Sequence, residues 1–173
     1  MSKLAGKLGK QYDKVKDQAK IRTLNIKLGD AAFDLKVRIP LKKEMEEISL
    51  RITSPAEEKI EAIYQTLATP ILAVVKDSAE GFLEALNSDK ETIVIKDKDI
   101  EVNGTSVRQV ATFTAIWESR VEEYFHLLQS ETGEVITESF SEIAAEFPDI
   151  AIKEILEAIE GAIKPDYKSA KKN

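Results

Sequence analysis

Cysteine is absent from this 173-residue chain. That excludes disulfides, zinc–thiolate centres, iron–sulfur clusters and thiol nucleophiles. Histidine occurs once, as His126, so no multi-histidine metal site can form and a Ser-His-Asp arrangement has one candidate base. The seven glycines are scattered. None falls in a GxGxxG or GxxxxGK[ST] arrangement, so phosphate-cradling loops are missing. Aromatics make up only 6%, and nothing suggests a sugar site. Long apolar runs are missing too. The longest candidate, Ile71-Leu72-Ala73-Val74-Val75, falls far short of the ~18–20 residues of a membrane span. Residues 1–20 are broken by lysines throughout, unlike the apolar stretch of a secretion signal. The expectation is a cytoplasmic protein with no membrane partner and no cofactor.

What is present is charge, unevenly spread. The net charge is −6. Residues 1–20 carry six lysines against Asp13 and Asp17, and residues 164–173 carry four against Asp166. The interior is therefore strongly acidic, at −13 for residues 21–163. Such a body repels phosphate, so nucleic acid is a poor fit except through the arms. The candidate arm contacts are Lys3, Lys7, Lys10, Lys14, Lys168, Lys171 and Lys172. The plainer reading is that these are solvated chain ends.

Hydrophobic residues reach 43%, enough for a sizeable core. Leu4, Leu8, Tyr12, Val15 and Ala19 step by three or four, the spacing of an amphipathic helix over residues 1–20. Alternation at Leu24, Ile26, Leu28 and again at Phe33, Leu35, Val37, Ile39 predicts a hairpin turning at Gly29-Asp30. Residues 41–53 read as a short helix. Ser54, Pro55 and Glu57 then start a second one. Its stripe is Ile60, Ile63, Tyr64, Leu67, Ile71, Val74 and Val75, with a kink or break expected near Thr69 because Pro70 lies inside it. Phe82, Leu83 and Leu86 extend the pattern to about Asn87. A second hairpin pairs Ile93 and Ile95 with Ile100 and Val102, and Asn103-Gly104 makes another turn.

Thr105 or Ser106 caps a long helix with Val110, Phe113, Ile116, Trp117, Val121, Tyr124, Phe125 and Leu128 as its core face, ended by Gly133. The aromatic cluster Phe113, Trp117, Tyr124 and Phe125 reads as the centre of the domain. Two short helices follow, one with Phe140, Ile143, Ala144 and Phe147, the other from Pro148 with Ile150, Ile152, Ile155, Leu156, Ile159 and Ile163, stopped by Pro165. The fold class is α+β, mostly helical with two short antiparallel hairpins. The organisation is a basic amphipathic arm at 1–22, one α+β domain at 23–163 and a basic tail at 164–173.

Chemistry has few candidates. His126 has Glu122 and Glu123 one helical turn back, but a histidine on a helix surface is the simpler reading. Glu44, Glu46 and Glu47, and Glu57, Glu58 and Glu61, form acidic runs that read as solvated faces. Asp97-Lys98-Asp99-Ile100-Glu101 lacks the glycine and the remaining ligand spacing of a calcium loop. Asn103-Gly104-Thr105 is turn chemistry rather than a glycosylation site in a cytoplasmic chain. The reading is of a binder, not an enzyme.

Two stretches carry a resemblance. They are Phe33-Asp34-Leu35-Lys36-Val37-Arg38-Ile39-Pro40-Leu41-Lys42-Lys43-Glu44-Met45-Glu46-Glu47-Ile48, and Phe147-Pro148-Asp149-Ile150-Ala151-Ile152-Lys153-Glu154-Ile155 through Pro165-Asp166-Tyr167-Lys168. Together they cover roughly a quarter of the chain, and their motifs are of low specificity. The arrangement resembles the tail assembly chaperones of long-tailed bacteriophages. The resemblance implies a non-enzymatic protein in the cytoplasm of an infected bacterium. Its partner would be the tape-measure protein, which such chaperones coat until tail-tube subunits replace them. It also implies ribosomal frameshifting, for which Ala170-Lys171-Lys172 would be the slippery site. An apolar face for helices would come from Ile60, Ile63, Leu67, Ile71, Val74, Ile152, Ile155, Ile159 and Ile163, whose alternative role is ordinary core. Self-association, a structural role in the tail or head of the virion, and nucleic-acid binding through the arms are the rival expectations.

Overall fold

The computed structural model describes residue 9 and residues 20–77, 93–130 and 132–164. The elements are β1 (Ile21–Leu28), β2 (Ala31–Arg38), α1 (Lys42–Thr53), α2 (Glu57–Asp77), β3 (Ile93–Lys96), β4 (Asp99–Val102), β5 (Thr105–Ser106), α3 (Val107–Phe125), β6 (Leu128–Gln129), α4 (Phe140–Glu146) and α5 (Asp149–Ile163). The fold is α+β, mostly helical, with two antiparallel three-stranded sheets ordered β1-β2-β6 and β3-β4-β5. Each expected hairpin thus gains a short third strand. The chain divides into two units, Met1–Ser49 with Arg120–Asn173, and Leu50–Ser119.

In the first unit, β1 and β2 are in register from Ile21↔Arg38 to Leu28↔Ala31. Gly29 has φ +60° at the first turn position, where a type II′ hairpin turn places glycine. Leu24, Ile26 and Leu28 share a face with Leu35, Phe33 and Ala31, because cross-strand partners project to the same side. Ile26 and Val37 are buried. Helix α5 packs on β1 with Ile152, Ile155, Leu156 and Ile159 inward. Arg22 Nη1 donates to the Ala162 carbonyl at 2.8 Å, satisfying one of the acceptors a helix end leaves open. Arg120 forks onto Glu160, its Nε 2.7 Å from Oε1. Burial opposes ionisation of Glu160, yet hydrogen bonds from Arg120 and then Lys164 hold its carboxyl below the usual range. Ile150 does not join the stripe and is 64% exposed. At ~100° per residue it lies opposite Ile152.

In the second unit, Ile60, Tyr64 and Ala68 of α2 and Val107, Ala111 and Ala115 of α3 form a buried cluster with Ile100 of β4. Both helices use every fourth residue, so each turns one face to the cluster. This corrects the expected core face of α3 at Val110 and Phe113, while Val121, Tyr124, Phe125 and Leu128 are buried as expected. Val110 is 40% and Phe113 61% exposed, because the alanine seam takes the inward side. Trp117 is half-buried, while Tyr124 and Phe125 are buried.

Asp99 joins the second sheet to α3. Its carboxylate accepts from the Ser106 hydroxyl at 2.5 Å, the Arg108 N–H at 2.9 Å and the Ile100 N–H at 2.8 Å. The Ser106 oxygen in turn accepts the Gln109 N–H at 2.9 Å, so Ser106 is the N-cap. Asn103 and Gly104 both have positive φ, 52° and 76°, as a type I′ turn requires. Arg108 stacks over the Tyr64 ring at 4.3 Å and donates to the Lys98 carbonyl and to Glu61, at 2.9 and 2.8 Å.

Further expectations are corrected. Helix α2 runs unbroken through Pro70 to Asp77. Thr66, whose carbonyl loses its amide partner to the proline, is exposed, so water can serve that oxygen. Helix α3 stops at Phe125, well before Gly133. The Leu127 N–H bonds to the Tyr124 carbonyl at 3.0 Å, tightening the last turn, and the Leu127 carbonyl accepts the Arg38 N–H at 2.8 Å. Leu128 therefore belongs to β6. Gly133, at φ +87°, instead turns the chain between bridged Gln129 and Val135. Ala144 is exposed. Gly9 has φ +89°. The rest of the N-terminal arm, residues 82–87, Pro165 and the tail lie outside the described residues.

Candidate functional site

The first unit contains an apolar recess of about 270 Å³. Its floor is built by four elements. Alternation along β2 brings Phe33 and Leu35 to the sheet face that also carries Leu128 of β6, whose cross-strand partner is Val37. The end of α3 supplies Phe125, and Ile155 comes from α5. Ile136, Ile143 of α4 and Phe147 just beyond it complete the apolar lining. The rings of Phe125 and Phe147 meet edge to face, 6.0 Å between centroids.

The rim is acidic. Glu138, Glu142 and Glu146 line the opening and follow one another at intervals of four. All three are exposed, and none pairs with a described lysine or arginine. The local sequence holds this row in place. Glu142 is the N3 residue of α4 and accepts the Ser139 hydroxyl and N–H at 2.7 and 2.8 Å. The side-chain bond from Ser139, then its backbone bond, keep the Glu142 carboxyl below the usual range. The Glu138 carbonyl is fixed by a 3.0 Å contact to His126 Nε2. The Phe140 N–H donates to Glu122 Oε1 at 2.8 Å.

These contacts of His126 and Glu122 join the end of α3 to the segment before α4. The other acidic runs disperse into separate contacts. Glu44 pairs with Arg38 at 2.6 Å, Glu46 with Lys42 and Glu47 with Lys43. Glu57 and Glu61 meet Arg108. Among the described residues no group of three or more histidine and acidic side chains could hold a metal ion. None of their helices is long and apolar enough to cross a membrane.

The expected partner-binding residues fall mostly inside. Ile60, Ile152, Ile155 and Ile159 are buried, and Ile63, Leu67, Ile71 and Ile163 are half-buried. Val74 is 51% exposed. Ile155 alone of these reaches the recess. Lys3, Lys7, Lys10, Lys14, Lys168, Lys171 and Lys172 lie outside the described residues. Sequence reading placed Phe33, Leu35, Phe125, Ile143 and Phe147 as core, and passed over the row Glu138, Glu142, Glu146. Its four-residue spacing was the available signal. No protein-family model, curated protein or solved structure matches this chain.

Proposed function

We propose that this protein is a non-enzymatic binder of amphipathic helices, with the recess between Phe33, Phe125 and Phe147 as its receptor site. The observation that carries this reading is the pairing of an apolar floor with a carboxylate rim. A partner helix would present two apolar side chains one turn apart and lysine or arginine beside them. The recess lies slightly below the ~300–1,000 Å³ of typical small-molecule sites. It suits a pair of side chains better than a cofactor. Burying two such side chains is worth about 3–6 kcal/mol before the costs of association.

The resemblance to phage tail assembly chaperones makes the tape-measure protein, a long helical chain, the partner to try, in the cytoplasm of an infected bacterium. Co-expression with that chain tests it. The expected outcome is a soluble complex lost in the Phe33→Glu variant and absent from finished particles. Recovery of the protein in purified virions would favour a structural tail or head component instead. Steeply salt-dependent binding to DNA or RNA, lost with Lys3, Lys7, Lys10 and Lys14, would favour a nucleic-acid role.

A further inference from the structure

β1 is an edge strand of eight residues. It stays in register with β2 from Ile21 to Leu28, with no bulge and no proline. The Lys20 carbonyl accepts the Ile39 N–H at 2.6 Å. Bonding alternates along an antiparallel ladder, so Arg22, Leu24, Ile26 and Leu28 also turn their N–H and C=O groups toward β2. Ile21, Thr23, Asn25 and Lys27 turn theirs away. Among the described residues no backbone group bonds them on that side, and Thr23, Asn25 and Lys27 are exposed. The opposite edge of the sheet is different. There β6 has only two residues, and Val135 bridges Gln129. A long, straight, unpaired edge is a template for another strand.

Two observations say what kind of strand fits. The first is charge. Thr23, Asn25 and Lys27 share a face with Lys36 and Asp34. Asp34 accepts from the Asn25 amide at 2.9 Å. Lys27 and Lys36 are exposed and have no ion-pair partner among the described residues. The second is space. Helix α5 packs over the other face of β1, where Arg22 reaches the Ala162 carbonyl. A second copy paired through β1 would bring its own α5 alongside at about the ~4.8 Å strand spacing, inside the ~8–10 Å at which helices pack. A lone strand meets no such obstacle.

We propose that β1 receives an extended segment of a partner protein as an added antiparallel strand. The segment alternates, with carboxylates on the side of Lys27 and Lys36 and apolar residues beside Leu24 and Ile26. Its carboxylate residues stand opposite Ile21, Thr23, Asn25 and Lys27, so their own N–H groups complete the ladder. No β1 residue lines the recess, and the proposal does not rest on the helix-binding reading.

The probe is a blocked eight-residue peptide alternating glutamate and valine, added to the full-length protein. Hydrogen exchange followed by NMR should slow at the Thr23, Asn25 and Lys27 amides. The Leu24 and Ile26 amides, already bonded to β2, should change little. Methylating the glutamate nitrogens of the peptide should weaken binding at least tenfold, while methylating the valine nitrogens, which face away, should leave it nearly unchanged. Lys27→Glu with Lys36→Glu should weaken the glutamate peptide about tenfold and favour a lysine–valine peptide instead. Unchanged exchange at the three amides, equal loss from both methylations, or equal binding of the glutamate and lysine peptides to the wild type overturns the proposal. Protection of the same amides by self-association without peptide overturns it too, and assigns the edge to a second copy.

Discussion

The ring of Phe147 stands edge-on to the ring of Phe125, with centroids 6.0 Å apart and planes at 71°. Phe125 is buried and Phe147 half-buried. The pair therefore links the end of α3 to the junction of α4 and α5 and forms part of the recess. Phe147→Ala should cost about 1–3 kcal/mol, combining lost burial with the ~0.5–1.5 kcal/mol of an aromatic pair. Urea denaturation would read it. Helix-peptide binding should weaken in the same variant.

Asp99 gives a prediction with a sign. Burial resists its ionisation, but the Ser106 hydroxyl and the Arg108 and Ile100 N–H groups outweigh that and hold its carboxyl below the usual range. A depressed folded-state pKa stabilises above the unfolded value, and the contribution is lost as pH falls through the folded value. Stability should therefore drop on acidification in the wild type. Asp99→Asn should lower stability at neutral pH by about 1 kcal/mol and flatten part of that acid limb. Denaturation midpoints from pH 7 to pH 3 would show both effects. Ser106→Ala and Asp99→Asn should combine less than additively, since they share a contact.

Helix α3 offers a contrast between size and place. Phe113→Ser should change stability by no more than about 0.5 kcal/mol, because an exposed ring contributes little. Ala115→Leu should cost about 1–3 kcal/mol, because Ala115 is fully buried beside Ala111 in the seam facing α2. Thermal or urea unfolding of the two variants would separate them. The reverse order would place the ring inside.

Arg108 makes contacts that a lysine cannot copy. It stacks on Tyr64, donates from Nε to the Lys98 carbonyl and reaches Glu61 with Nη2. Arg108→Lys should cost about 1 kcal/mol although charge is kept. A Tyr64→Leu background should reduce that cost, and a double-mutant cycle would measure the coupling.

The pattern of these residues explains what the sequence disclosed. The hairpin of β1 and β2 was legible because two eight-residue runs alternate cleanly around a glycine turn. The second hairpin was equally clear from its isoleucines and Asn103-Gly104. The α2–α3 seam was hidden, because Ala68, Ala111 and Ala115 carry little hydrophobic signal while Phe113 carries much. Leu128 was read as helix because its strand partner, Val37, lies 91 positions away in the chain. The recess was least legible. Phe33, Phe125 and Phe147 come from distant segments, and each alone looks like core.

The most direct test of the central claim is a fluorescence-anisotropy titration of the full-length protein with a labelled basic amphipathic helical peptide. The account predicts saturable binding, weakened about tenfold when Glu138, Glu142 and Glu146 are all changed to Gln, on the basis of ~0.2–1 kcal/mol for each surface ion pair. Glutamine keeps the capping contact at position 142, so α4 should be preserved. An acidic peptide with the same apolar residues should bind far more weakly. Equal binding of the two peptides, or no effect of the triple substitution, would contradict a recess whose carboxylate rim selects its helix.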